Sequence, residues 1–126
     1  MQFYMLELPA NDPIICAAWY CNILNYKVIT RDDANGFVLL QYAGSRLAFK
    51  RDESTQCAVR LHFQVDNLEQ ELLRLASLRV FPDGELKTSH EGYRRAKLHD
   101  CEGRIIILFE WIDNNMTRTD PATSSR

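Results

Sequence analysis

The stretch Arg60-Leu61-His62-Phe63-Gln64-Val65-Asp66-Asn67, RLHFQVDN, decides how the chain is read. Its apolar residues Leu61, Phe63 and Val65 alternate with Arg60, His62 and Gln64, the period of two that a half-buried strand requires. Asn67 then stands where a side-chain oxygen caps a helix, and Gln70 follows three residues on in a capping-box pattern. The helix this opens is expected over residues 68–78, with Leu68, Leu72, Leu75 and Ala76 on one face. A strand therefore feeds a helix, and aims an arginine, a histidine and a glutamine to one side.

The same order occurs earlier in the chain. Residues 3–8 have strand composition, and Asn11-Asp12-Pro13 supplies a cap followed by proline at the first helical position, where its missing N–H is harmless. A helix is expected over 13–24, with Ile14, Ala17, Ala18 and Cys21 at helical spacing and Asn25 as its stop. Three extended runs follow at 26–31, 36–42 and 46–50, separated by Asp32-Asp33-Ala34-Asn35-Gly36 and Ala43-Gly44-Ser45. In the second half the opening strand is expected over 57–65, with further short strands at 78–81, 93–99 and 105–109. Pro82-Asp83-Gly84 and Asp100-Cys101-Glu102-Gly103 mark the turns. Laying 6–12 over 61–67 gives a repeat with a period of 55 residues, both copies ending at a helix cap, which indicates a duplicated strand-helix-strand-strand-strand module.

Size and charge bound what such a chain can do. With 126 residues, 46% of them hydrophobic, one domain is expected over 1–112, its modules at 1–52 and 56–112. The 15 Lys+Arg and 17 Asp+Glu are interspersed, so no basic block presents itself to nucleic acid. No apolar run reaches the roughly 20 residues of a membrane span and the start lacks a signal-peptide pattern, so a cytoplasmic protein with no membrane partner is expected. Cys16, Cys21, Cys57 and Cys101 form no CxxC pair and are expected to remain thiols, at least three of them as small packing residues. Residues 113–126 carry too little apolar content to hold themselves down and are expected to be a flexible tail.

The duplicated module, with WYCNILNYKV at the end of the first helix, VDNLEQELLRL opening the second and YRRAKLHDCEGRIIILF near the end, resembles the vicinal oxygen chelate superfamily. That superfamily includes glyoxalase I, extradiol dioxygenases, and fosfomycin- and bleomycin-resistance proteins. The resemblance implies an α+β fold in which two tandem βαβββ modules make a curved mixed-sheet cup around a ligand, commonly in a homodimer. In metal-dependent members the first and last strands of each module supply His, Glu or Gln ligands. Carried onto this chain, those positions are Met5, Ala48, Arg60 and Ile107, and none is a ligand. No cofactor is therefore expected. A displaced metal site at Glu7 and His62, each two residues beyond the family position and on the same side of its strand, is the alternative.

Strand alternation then fills the implied cup. Phe3, Met5, Glu7, Arg46, Ala48, Arg60, His62, Gln64, Ile107 and Phe109 are the expected ligand-binding residues, an apolar floor with a few polar groups. The plainer possibilities stay open: Glu7 pairs with Arg60, His62 with Gln64, and Trp19, Tyr93 and Trp111 serve core or dimer contacts. His90 and His99 are expected at the surface. The resemblance favours a metal-independent protein of the bleomycin-resistance type that sequesters a small, partly aromatic, neutral or anionic compound, although Cys101 and Arg104 replace the usual proline and asparagine of the last turn. The alternatives are a metal-dependent lyase, isomerase or dioxygenase, and a non-catalytic dimeric interaction module.

Overall fold

β1 (Leu6–Ala10) leads into α1 (Pro13–Leu24) through a cap that the sequence makes explicit. The Asp12 carboxylate accepts the N–H groups of Ile14 and Ile15, both at 3.1 Å, and Pro13 takes the first helical turn. Such a cap contributes about 1 kcal/mol. The helix ends at Asn25, whose φ of 66° places it in the left-handed region that asparagine tolerates, and its N–H returns to the helix. β2 (Lys27–Asp32), β3 (Phe37–Tyr42) and β4 (Ser45–Arg51) complete the module, and β4 returns beside β1 in parallel to give the order β1-β4-β3-β2. Gly36 closes the turn between β2 and β3 at φ 65°, where a Cβ would lie 2.7 Å from that of Arg51. The computed structural model describes residues 1–53 and 58–112; Cys57, the expected start of the second module's first strand and the expected tail lie outside them.

The second half repeats the plan with β5 (Arg60–Gln64), α2 (Leu68–Ser77), β6 (Lys87–Thr88), β7 (Tyr93–His99) and β8 (Ile105–Trp111), in the sheet order β5-β8-β7-β6. Asn67 caps α2 by accepting the Gln70 N–H at 3.1 Å, and the Leu68 N–H is taken by the Glu110 carboxylate at 2.8 Å. The architecture is thus α+β, two tandem modules each with a four-stranded sheet and one helix. By internal packing the chain divides into one unit of Met1–Arg60 with His99–Ile106, and another of Leu61–Leu98 with the chain from Ile107. The last turn, between β7 and β8, therefore packs with the first module. No helix among the described residues is long and apolar enough to cross a membrane.

Within the first unit, register fixes the two faces of the sheet. Leu8 pairs with Phe49, Phe49 with Val38, and Leu47 with Leu40, and all five are buried on the side where the Phe49 ring lies 4.9 Å from that of Tyr20 of α1. Glu7, Ala48 and Leu39 occupy the opposite face.

Three local expectations are corrected. β1 begins at Leu6, so Phe3 precedes the strand and is exposed. Of the stripe Ile14, Ala17, Ala18 and Cys21 only Ala17 is buried; it joins Cys16, Tyr20, Ile23 and Leu24 on the buried face of α1, while Ala18 is exposed. No strand forms at 78–81. The Val80 N–H goes to the Leu75 carbonyl and the Arg79 N–H to that of Ala76, with Arg79 at φ 62°, so a Schellman turn consumes the donors a strand would have offered.

Candidate functional site

In the first unit, Glu7 of β1 lies directly opposite Ala48 of β4, with Glu7 exposed and Ala48 buried. Arg46, two residues before Ala48 on the same face, sets its guanidinium 4.4 Å from the centre of the Tyr4 ring and donates to the Tyr4 carbonyl at 3.4 Å. Arg46 is thus held by the segment preceding β1. Met5 is half-buried, and Arg60, at the start of β5, is exposed.

The second unit presents a more organised face. Ala96 and Leu98 of β7 and Ile106 and Leu108 of β8 are buried, so alternation sends Tyr93 and Phe109 to the other side. Ring contacts confirm the placement. Phe109 lies 5.3 Å from Tyr93, 5.5 Å from Trp111 and 6.4 Å from His62, centre to centre, and Tyr93 and Trp111 meet edge-on at 5.5 Å. His62 and Gln64 are exposed, whereas Ile107 is fully buried.

The strands also place charge beside these rings. Arg95 and Lys97 follow Tyr93 at intervals of two, on its face of β7, and Lys87 of β6 is paired directly with Arg95. Arg94 points the other way and pairs with Glu69 of α2 at 3.2 Å. An aromatic patch with Arg95, Lys97 and Lys87 on its face suits a planar ligand with a negative or polar edge. Of the expected residues, the structure brings His62 and Phe109 together and joins them with Tyr93 and Trp111, which their positions near strand ends had left as core or dimer contacts. Trp19 packs edge-on against Tyr20 at 5.2 Å, a core contact, and His90 and His99 are exposed.

A metal fits these residues poorly. Ala48 and Ile107 have no donor atoms, and a guanidinium at Arg60 repels a cation. Glu7 and His62 belong to different units, and among the described residues no three His, Cys, Asp or Glu side chains gather as a metal site requires.

A densely bonded polar group lies elsewhere, in the last turn of the first unit. The Asp100 carboxylate accepts the Tyr20 hydroxyl at 2.7 Å, Nη1 of Arg104 at 2.9 Å, and the N–H groups of Glu102 and Arg104, both at 2.9 Å. Arg104 also donates to the Pro9 carbonyl, and its guanidinium lies 5.1 Å from the centre of the Phe49 ring. Burial opposes the Arg104 charge, but the Asp100 carboxylate outweighs it and raises the pKa above its ordinary value. Burial, with Asp100 second, pushes the Tyr20 hydroxyl up, so Tyr20 remains a donor. Against partial burial, the N–H groups of Asp12 and Asn11 hold the Glu102 carboxyl below the usual range. These bonds fasten the turn to both ends of the link between β1 and α1. The spacing Asp100, Glu102, Arg104 was the available signal, but sequence could not supply Tyr20 or Pro9.

A family model described as a glyoxalase-like domain matches residues 5–109. Lactoylglutathione lyase from Agrobacterium tumefaciens is similar in structure at a TM-score of 0.72, with 13% identity over 86% of this chain and 92% of that one. TioX from Micromonospora sp. ML1 gives a TM-score of 0.66 with 16% identity over 94% of this chain and 100% of its own. A glyoxalase/bleomycin resistance protein/dioxygenase from Nocardioides gives 0.70 with 14% identity, covering 95% and 91%. No curated protein matches the sequence.

Proposed function

Since the chain belongs to the glyoxalase-like family of the vicinal oxygen chelate superfamily, we propose that it uses that fold to bind a small molecule without a metal and without altering it. The observation that carries this reading is the cluster of Phe109, Tyr93, Trp111 and His62 on one face of the second sheet. Aromatic edges and faces at these separations offer a planar ligand dispersion and quadrupole contacts, and Arg95, Lys97 and Lys87 offer charge for a carboxylate or similar anion. The ligand class is therefore partly aromatic and anionic or neutral. Gln64, one alternation step from His62, adds an amide that can both donate and accept.

The donor set supports the metal-independent half of the proposal. Of the four family positions, Ala48 and Ile107 cannot ligate and Arg60 repels a cation, so no step is assigned to a metal. A second copy of the chain is included in the proposal as its protein partner, following the family resemblance. The test is elemental analysis of the purified chain, before and after dialysis against iron, manganese, nickel and zinc with a mild chelator wash. Far less than one ion per chain is expected after the wash. About one retained ion per chain, lost on His62→Ala, would overturn the reading in favour of a metal-dependent enzyme.

A further inference from the structure

Two of the thiols lie close together. Cys16 of α1 is fully buried, Cys101 in the turn before β8 is exposed, and their sulfurs share a weak hydrogen bond at 3.8 Å. Nη1 of Arg104 sits 3.7 Å from the Cys16 sulfur, so a cation stands beside the pair. The turn itself is anchored by Asp100 and Glu102, which holds Cys101 over Cys16. Solvent reaches one sulfur, and the other waits beneath it.

We propose that Cys101 and Cys16 form a hydroperoxide-sensitive dithiol, in which Cys101 is the attacking thiol and Cys16 the resolving one. In the first step the Cys101 thiolate attacks one peroxide oxygen; the O–O bond breaks and the other oxygen leaves with a proton as water or an alcohol. Cys101 becomes a sulfenic acid. The Cys16 sulfur then attacks that of Cys101; the S–O bond breaks, hydroxide leaves with the Cys16 proton as water, and a disulfide remains. The two thiols supply the two electrons that the peroxide takes up.

The electrical environment agrees with these roles. Once Cys101 is ionised the Cys16 thiol can only donate to it, and this bond lowers the Cys101 pKa below the ordinary thiol value. The same bond, with burial, raises Cys16, which stays protonated until the sulfenic acid forms. Forming a disulfide brings the sulfurs to about 2.05 Å, a movement that falls to the exposed side of the turn. The oxidised chain would tie α1 to that turn covalently, where the Tyr20 hydroxyl now ties it by a hydrogen bond to Asp100.

The test is mild hydrogen peroxide treatment of the full chain, followed by thiol titration and tryptic mapping. Of the four cysteines, two should lose reactivity, and the peptide of residues 98–104 should appear linked to that of residues 1–27 until dithiothreitol is added. The link should persist in Cys21→Ser and vanish in Cys101→Ser, a substitution at an exposed position that leaves the core untouched. In Cys16→Ser, Cys101 should stop as a sulfenic acid captured by dimedone. A link to Cys21 or Cys57, a disulfide between two chains through Cys101, or four thiols still titrating after treatment would each overturn the proposal.

Discussion

Asp100→Ala is expected to destabilise the folded chain by about 3–5 kcal/mol, the largest effect of any single polar substitution considered for this molecule. The side chains of Asp100 and Arg104 are 0% and 4% exposed, and their ion pair spans 2.9 Å. Removing the carboxylate leaves a guanidinium in the core, the Tyr20 hydroxyl without its acceptor, and two turn N–H groups unpaired. Each loss carries a desolvation penalty that water cannot refund at this depth. Urea unfolding monitored by circular dichroism gives the number. The double variant Asp100→Ala with Arg104→Met should be less destabilised than Asp100→Ala alone, because the buried charge that has lost its nearer carboxylate is gone. By contrast Asp33→Ala, which breaks an exposed pair with Arg31 at 60% and 51% side-chain exposure, should leave stability nearly unchanged, because water screens both charges. Equal effects at the two sites would show that Asp100 and Arg104 do not form the buried pair described here.

The second large effect is expected in binding. Phe109→Ala should weaken an aromatic carboxylate such as benzoate or 2-naphthoate by about 2 kcal/mol, roughly thirtyfold in Kd. Phe109 is the ring that meets three others, and its loss removes the centre of the patch while its half-buried position spares the fold. Arg95→Ala should act more weakly, and its effect should shrink with added salt, as for a half-buried charge that solvent still reaches. Calorimetric titration separates the two. A Phe109→Ala protein that binds as tightly as the parent would place the site elsewhere, with the Glu7 and Arg46 face of the first unit as the next candidate.

These two cases show where the sequence was legible. The caps at Asp12 and Asn67 and the stop at Asn25 are local chemistry, in which one side chain satisfies nearby N–H groups, so they were readable residue by residue. The 55-residue repeat followed from them, and with it the module order. Alternation placed His62 and Phe109 on one face because a strand allows only two directions. The buried face of α1 was not readable in the same way. Its residues are apolar on nearly every side, so periodicity could not choose Cys16 and Tyr20 over Ile14 and Ala18. Leu78 to Phe81 has strand composition, but the Schellman turn is decided by which N–H groups reach the end of α2. Tyr93 and Trp111 joined the candidate site only through the pairing of β7 with β8 and of β8 with the distant β5 that carries His62, and the Asp100 cluster needed Tyr20, 80 residues away.

The chain is proposed to hold a small, partly aromatic, anionic or neutral molecule and to return it unchanged. Equilibrium dialysis of chelator-washed protein against a pool of planar aromatic carboxylates, with bound compounds released and weighed by mass spectrometry, tests it most directly. Saturable retention of one or more members at their original mass, reduced in Phe109→Ala, is expected. Retention of none, or recovery of a compound with altered mass only when a divalent metal is supplied, would contradict it.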